Sequence, residues 1–315
     1  MSSSDLPASP TASKSVLFHV GLPKAASSFL QRRVFPAVTD ATFLHPTSAN
    51  RGRLPAIFAS STAFLAEPEA ARRAIREAAQ AKVIISAESF VGDPYDSFCD
   101  HDVRAAGLKA LWPEAAILLV IRRQDHFCRS LFGQALRKGF PYAPARFLRL
   151  DSGQGTAESR TRNFDYRAAD LDRMVRRYES LFGEAKVHVL PLELLAENAA
   201  AFVTAVLSVD NYELAALPEA KVENRTYSSR GYRAARLLNR FCLDETDSGA
   251  RFFAWLDRRA AGGSPGWRAC RGALRAGNRA VKRRVRRSVD RIGSGGTAAA
   301  QPLNDGEMAR IRQHF

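Results

Sequence analysis

Two rhythms of apolar and polar residues alternate along this chain. Short, nearly continuous apolar runs at residues 16–20, 82–86, 116–121 and 186–190 have the composition of strands buried on both faces. Between them lie stretches with apolar residues at helical period: 67–80, 102–111, 125–138, 167–181 and most of 192–207. Pro68 falls near a first helical turn, Trp112-Pro113 closes one helix, and Gly139 and Gly183 stop two others. Residues 40–66, rich in Pro, Ser, Thr and Gly, read as long loops around a short apolar patch. Residues 140–164, with Pro141, Pro144 and Gly153-Gln154-Gly155, read as a loop long enough to serve as a lid. Strands alternating with helices predict an α/β fold: a parallel sheet flanked by helices. Ligands of such sheets bind beyond the carboxyl ends of the strands.

The stretch around which the rest is arranged is Val16-Leu-Phe-His-Val-Gly-Leu-Pro-Lys-Ala-Ala-Ser-Ser-Phe-Leu-Gln31. It runs from strand to helix through Gly21-Leu22-Pro23, where Gly allows unusual dihedrals and Pro fixes one. The helix carries Phe29, Leu30, Val34 and Val38 on its apolar face. A tight turn, Lys24, and the paired hydroxyls of Ser27 and Ser28 at a helix start make an anion site: free N–H groups, a full charge and short-range donors. It is not the Gly-Lys-Ser/Thr phosphate loop, because Lys24 follows Gly21 by three residues with no Gly before it. Taken alone, the stretch also reads as an ordinary strand–helix turn with a surface lysine.

A second stretch bears on the choice. The run 116–121 leads into Arg122-Arg-Gln-Asp-His-Phe-Cys-Arg-Ser130. An arginine at a strand end and a serine eight residues on can converge on one phosphate, by guanidinium fork and hydroxyl. Together the two stretches resemble the sulfotransferases that use 3'-phosphoadenosine 5'-phosphosulfate (PAPS), most closely bacterial members acting on carbohydrate or lipid-linked acceptors. Gly21-Leu22-Pro23-Lys24 with Ser27-Ser28 and Leu30-Gln31 is similar to that family's 5'-phosphosulfate loop. Arg122 and Ser130 match the two key positions of its 3'-phosphate motif.

The resemblance extends from about Ser15 to about Phe241. It takes in Asp165-Tyr166 with the helix ending at Phe182-Gly183, and Asn224-Arg225-Thr226-Tyr227-Ser228 with the helix reaching Leu238-Asn239-Arg240. It implies a P-loop-NTPase-like fold, with PAPS as co-substrate, no metal, and a sugar or glycolipid hydroxyl as acceptor. The implied cofactor-binding set is Gly21, Pro23, Lys24, Ala26, Ser27, Ser28, Arg122 and Ser130. Two positions depart from the family pattern. Ala26 stands where Gly is usual, and its methyl is expected to crowd the cofactor. Gln124 stands where Pro is usual and is expected to loosen the turn after Arg122. Arg137-Lys138-Gly139 resembles a 3'-phosphate element of soluble phenol and steroid sulfotransferases, but it directly follows the Arg122 helix. It therefore reads as a helix end with dipole-compensating charges.

Lys24, Glu88 and Arg122 all fall just past strand ends. Glu88 is either a loop carboxylate or the general base that takes the acceptor's proton; its placement resembles the strand-end base of glycan sulfotransferases. His45 and His101, in or near loops, are alternative bases. His19, inside a strand, reads as core, and His126 as a solvated helix position. Asn224 and Arg225 read as a helix cap or, by the resemblance, as a strap near the nucleotide.

Composition adds three points. The four cysteines, Cys99, Cys128, Cys242 and Cys270, have no metal-ligand spacing and suit a reduced, cytoplasmic setting. No run is long and apolar enough to span a bilayer. Net charge is +15, and residues 251–292 hold thirteen Lys or Arg against Asp257 and Asp290, which leaves the rest nearly balanced, so the main domain is not a generic polyanion binder; no specific nucleic-acid partner is expected.

The expected organisation is a disordered arm at 1–14, an α/β domain at 15–248 and a basic helical extension at 249–315. Within the extension, Trp267, Cys270, Leu274, Val281, Val285, Val289 and Ile292 form one helical stripe among arginines and lysines. Such a helix either lies on an anionic membrane surface, making the protein peripheral, or docks its stripe on the core. Two other functions stay open at this stage. One is a P-loop-like nucleotide kinase or phosphotransferase; the other is a non-enzymatic polyanion- or membrane-binding protein on an inactive nucleotide fold.

Overall fold

The apolar runs pair as expected. The computed structural model describes residues 14–45, 67–140, 144–149, 164–216, 281–288 and 290–291. Its sheet has five parallel strands: β1 (Ser15–Gly21), β2 (Ala41–Leu44), β3 (Lys82–Ala87), β4 (Ala116–Ile121) and β5 (Val187–Pro191), in the order β2-β3-β1-β4-β5. Leu17, Phe18, Ile84, Ile117 and Leu118 are fully enclosed, because helices cover both faces and leave no side of the central strands wet. β1 is the middle strand. After β3 the chain crosses to β4 on the other side of β1, so the strand order reverses at the carboxyl end of β1. An open α/β sheet leaves its crevice at such a reversal.

The described helices are α1 (Ser27–Phe29), α2 (Pro68–Arg76), α3 (His101–Leu111), α4 (Gln124–Arg137), α5 (Pro144–Phe147), α6 (Leu171–Phe182), α7 (Leu192–Glu197) and α8 (Ala199–Leu207). Gly139 and Gly183 take positive φ, 89° and 88°, as helix-ending glycines do.

Four differences from the sequence reading have physical causes. β2 lies inside the stretch read as loops. It is four residues long and only half-buried, so no continuous apolar run announces it. The helix expected after Ser28 widens into a π-helical turn, Leu30–Val34, then tightens into the 3-10 turn Phe35–Ala37. Pro36 has no N–H to continue the ladder, and its ring would clash with the carbonyl four residues back. α6 starts at Leu171, not 167, because the Asp170 carboxylate accepts the Arg173 N–H at 3.0 Å and caps the helix there. The helix 192–207 breaks at Asn198, whose side chain accepts from the Ala201 N–H at 3.0 Å and starts α8.

The described part of the basic extension is helical at 281–288 and 290–291 and packs on the sheet domain. Val281 and Val285 are buried in the common core. The Ser288 hydroxyl accepts the backbone N–H of Val189 at 2.6 Å, covering one donor of the edge strand β5. Of the expected arm only Lys14 is described, and its ammonium donates to the Ala78 and Gln80 carbonyls at 2.6 and 2.9 Å; residues 1–13, the segment 224–241, Cys242, Cys270, residues 267–280 and the 248/249 boundary lie outside the described residues. So does most of the 140–164 loop.

Candidate active site

β1 ends at Gly21, and the chain reverses into α1 through two residues in the left-handed region, Lys24 (φ 67°) and Ala26 (φ 62°). The turn is fastened by Ala25 N–H to the Leu22 carbonyl (3.1 Å) and by Leu30 N–H to the Ala26 carbonyl (3.1 Å). From across the sheet, the Arg122 guanidinium donates to the Lys24 carbonyl at 3.4 Å. Leu22, Pro23 and Ala25 are buried beneath it. A β-carbon on Gly21 would stand 2.5 Å from Ser27 Oγ and 3.3 Å from His19 Cε1, so only glycine lets α1 fold back this close to β1. The φ of Ala26 shows why Gly is the natural residue there: the methyl strains the backbone whether or not it touches a ligand.

Lys24, Ser27 and Glu88 meet at this corner. Glu88 opens the 3-10 turn Glu88–Val91 directly after β3, the neighbour of β1. Burial raises the Glu88 carboxyl above the ordinary glutamate range, while the charge of Lys24 and the nearby Ser27 hydroxyl pull it back. Burial and then the Arg137 guanidinium push the Lys24 ammonium below the ordinary lysine range; Arg122 and Lys138 act the same way, and Glu88 opposes them. Ser27 Oγ is enclosed and has no partner of regular hydrogen-bond geometry, so its influence on Glu88 is one of proximity. An enclosed hydroxyl of this kind is a donor held ready for an acceptor atom.

The histidines weighed in the sequence each have a definite place. His19 is fully buried on β1, and its Nδ1 lies 2.6 Å from the Ser86 hydroxyl on β3, to which Gln31 also donates at 3.0 Å. Burial lowers its pKa to about 3, so it is neutral. Nδ1 of His45 meets the Ser86 carbonyl at 2.8 Å, and burial lowers its pKa. His101 is buried against Tyr178, with Nδ1 3.1 Å from the Val91 carbonyl. His126 is largely exposed, 3.8 Å from Glu193. Of the weighed bases, Glu88 is the one whose proton affinity Lys24 influences.

Arg122 leaves β4 and Ser130 follows on α4, both half-buried; Ser28 is half-buried on α1. Gln124 does not loosen the turn after Arg122. It is buried and donates to the Ala169 carbonyl, tying the start of α4 to the 3-10 turn Tyr166–Ala169.

Sequence reasoning missed the far end of α4. Arg137 and Lys138, read as helix-end charges, act on Lys24, and Arg122, between β4 and the same helix, does too. Lys138 Nζ sits 4.7 Å over the Tyr95 ring, and Tyr95 stacks on Phe140 at 5.8 Å. Tyr95 belongs to the segment that follows Glu88, so the contact pins the end of α4 to the Glu88 side of the crevice. The only signal in the sequence was the tripeptide itself; which way α4 runs is a tertiary fact. Three further cations, Arg122, Arg137 and Lys138, thus act on Lys24, and among the described residues Glu88 is the carboxylate that opposes them, a surplus of positive charge suited to a strongly anionic ligand.

What fold and site define is a doubly wound α/β protein with a cationic, partly buried turn at its topological switch point. No protein-family model matches the chain, and no curated protein matches it. Among solved structures it is similar to the crystal structure of a sulfotransferase from Alicyclobacillus acidocaldarius, at 16% sequence identity and a TM-score of 0.44, over 81% of this chain and 99% of that one.

Proposed function

We propose that this chain is a sulfotransferase that moves a sulfuryl group from PAPS to a hydroxyl of a carbohydrate or glycolipid acceptor, releasing 3',5'-ADP. The observation that carries the reading is the meeting of Lys24, Ser27 and Glu88 at the end of β1, with Arg122 fastened to the same turn. The residues suit a phosphosulfate: four cations outnumber one carboxylate, and the enclosed Ser27 hydroxyl has a proton to donate. When bound, PAPS supplies an activated sulfuryl group and a phosphate that departs with the bond electrons.

In this reading Glu88 takes the acceptor hydroxyl's proton as the oxygen attacks, and its raised proton affinity makes it a stronger base than an ordinary glutamate. Lys24 offsets the charge that grows on the departing oxygen, and Ser27 donates to the same group. Arg122 and Ser130 hold the 3'-phosphate and thereby aim the reacting group. Catalysis rests on positioning and electrostatics, and none of these steps calls on a metal.

The test is calorimetric titration of the full chain with 3',5'-ADP, AMP and ATP, followed by transfer from labelled PAPS into a cell extract with the product identified by mass. Preference for 3',5'-ADP and a labelled glycan or glycolipid support the proposal. Preference for ATP, with no labelled product, overturns it in favour of phosphoryl transfer.

A further inference from the structure

The helical turns at 281–288 and 290–291 leave a groove against α6. Asp172, Arg176, Arg283, Arg284, Arg286 and Arg287 line it, and it encloses about 550 Å³. No residue of the Lys24 turn takes part. Its charges are of two kinds. Arg284 is half-sequestered between Asp172 (2.5 Å) and Glu179, and Arg176 lies 3.3 Å from Asp172. Arg287 pairs with Glu184, and Arg291 with both the side chain and the backbone carbonyl of Glu184. These pairs fasten the helix to α6 and to the turn before β5. Arg283 and Arg286 are different: both are exposed, and neither has a carboxylate partner among the described residues.

The apolar stripe of this helix is already used. Val281 and Val285 are in the core and Ser288 is on β5, so the described turns cannot insert an apolar face into a bilayer. What faces outward is guanidinium. Arg283 and Arg286, three residues apart, project from one side of the helix over a concave site, and a guanidinium fork suits the oxygens of a phosphate ester. Residues 281–291 alone hold six Lys or Arg against Asp290. A row of cations around one recess suits a surface that presents many phosphates at once better than a single dissolved ion.

We propose that this groove binds the phosphate headgroup of an anionic lipid and holds the enzyme peripherally on a membrane, by its arginine face and without insertion of the helix. The proposal does not depend on the reaction at Lys24.

The test is flotation of the full chain with vesicles of phosphatidylcholine alone or with an added fraction of phosphatidylglycerol, on which each cation near the surface contributes about 1 kcal/mol. Two variants are compared: Arg283→Gln/Arg286→Gln, and Arg73→Gln/Arg76→Gln on the exposed face of α2, which removes the same net charge. Thermal melting confirms that both fold. The expected result is binding to the anionic vesicles only, release by high salt, an approximately 30-fold weaker partition for the groove variant from two lost cations, and little change for the control. Equal weakening by both variants, or no binding to anionic vesicles at low salt, overturns the proposal. So does saturable binding of inorganic phosphate by a protein that ignores vesicles, which would assign the groove to a soluble ester.

Discussion

The hydroxyl of Ser27 lies 2.5 Å from the point that a β-carbon on Gly21 would occupy. Strand end and helix start are therefore packed to the limit, and the enclosed hydroxyl stays at the corner only while residue 21 has no side chain. Gly21→Ala should displace Ser27 and lower the unfolding free energy by roughly 1–3 kcal/mol, the usual cost of overpacking. It should also weaken 3',5'-ADP binding. Denaturant unfolding and calorimetry check the two effects. Unchanged stability together with unchanged nucleotide affinity would remove the close approach from the account.

Glu88 carries a cost that its proposed role explains. Burial holds its proton affinity above the ordinary range, so the folded protein binds that proton more tightly than the unfolded chain does. The contribution to stability is then fully present below the unfolded-state pKa and is lost as pH rises through the folded value. Glu88→Gln should accordingly be more stable than wild type at pH 7–8, with the gap closing as pH falls below the usual glutamate range. The same variant should keep its affinity for 3',5'-ADP while losing turnover, and should abolish an acid limb of kcat/KM that lies above the ordinary carboxylate pKa. A stabilised variant with normal turnover would leave Glu88 as a crowded carboxylate without a catalytic part.

How far the sequence carries differs from element to element. β1, β3, β4 and β5 were legible because buried parallel strands are written as continuous apolar runs. β2 was not, because an edge strand of four half-buried residues has no such run. The turn at Gly21–Lys24 was legible from glycine, proline and lysine in order, and Glu88 from its position after a strand. The left-handed φ at Lys24 and Ala26 was not, since neither residue type advertises it. The packing of Val281 and Val285 on the core was one of two readings of a single stripe, because helical period shows which residues share a face and not what covers it. Gln124 was misjudged for a related reason: its partner, the Ala169 carbonyl, is 45 residues away.

Ala26 gives a stability test that needs no ligand. A left-handed alanine costs roughly 1–2 kcal/mol relative to glycine in the folded state, and glycine returns part of that through its freer unfolded chain. Ala26→Gly should therefore stabilise the protein by about 0.5–1 kcal/mol, read as a higher denaturant midpoint at constant slope. A loss of stability would mean that the methyl's packing outweighs the backbone strain.

Lys24 is expected to be the most sensitive position for the reaction. Lys24→Ala removes one contact to developing charge, which typically costs about 10²- to 10³-fold in turnover. Single-turnover transfer from PAPS measures this apart from product release. A folded variant with undiminished chemistry would take Lys24 out of the mechanism.

Arg137 separates the two readings of the end of α4. As a helix-end charge it would compensate the dipole and nothing more. In the folded protein it is, after burial itself, the largest influence lowering the proton affinity of Lys24, and Lys138 adds to it from the next position. Removing a neighbouring positive charge makes protonation of Lys24 easier, so its pKa must rise. If the Lys24 ammonium is the form that works, the alkaline limb of kcat/KM reports its deprotonation. Arg137→Gln should move that limb to higher pH, and Arg137→Lys, which keeps the charge, should restore it toward wild type. The control is Arg73→Gln, on the exposed face of α2, which should leave the limb in place. An alkaline limb that stays put in Arg137→Gln, with the protein folded and active, would return Arg137 to the role of a helix terminus and detach the far end of α4 from the site.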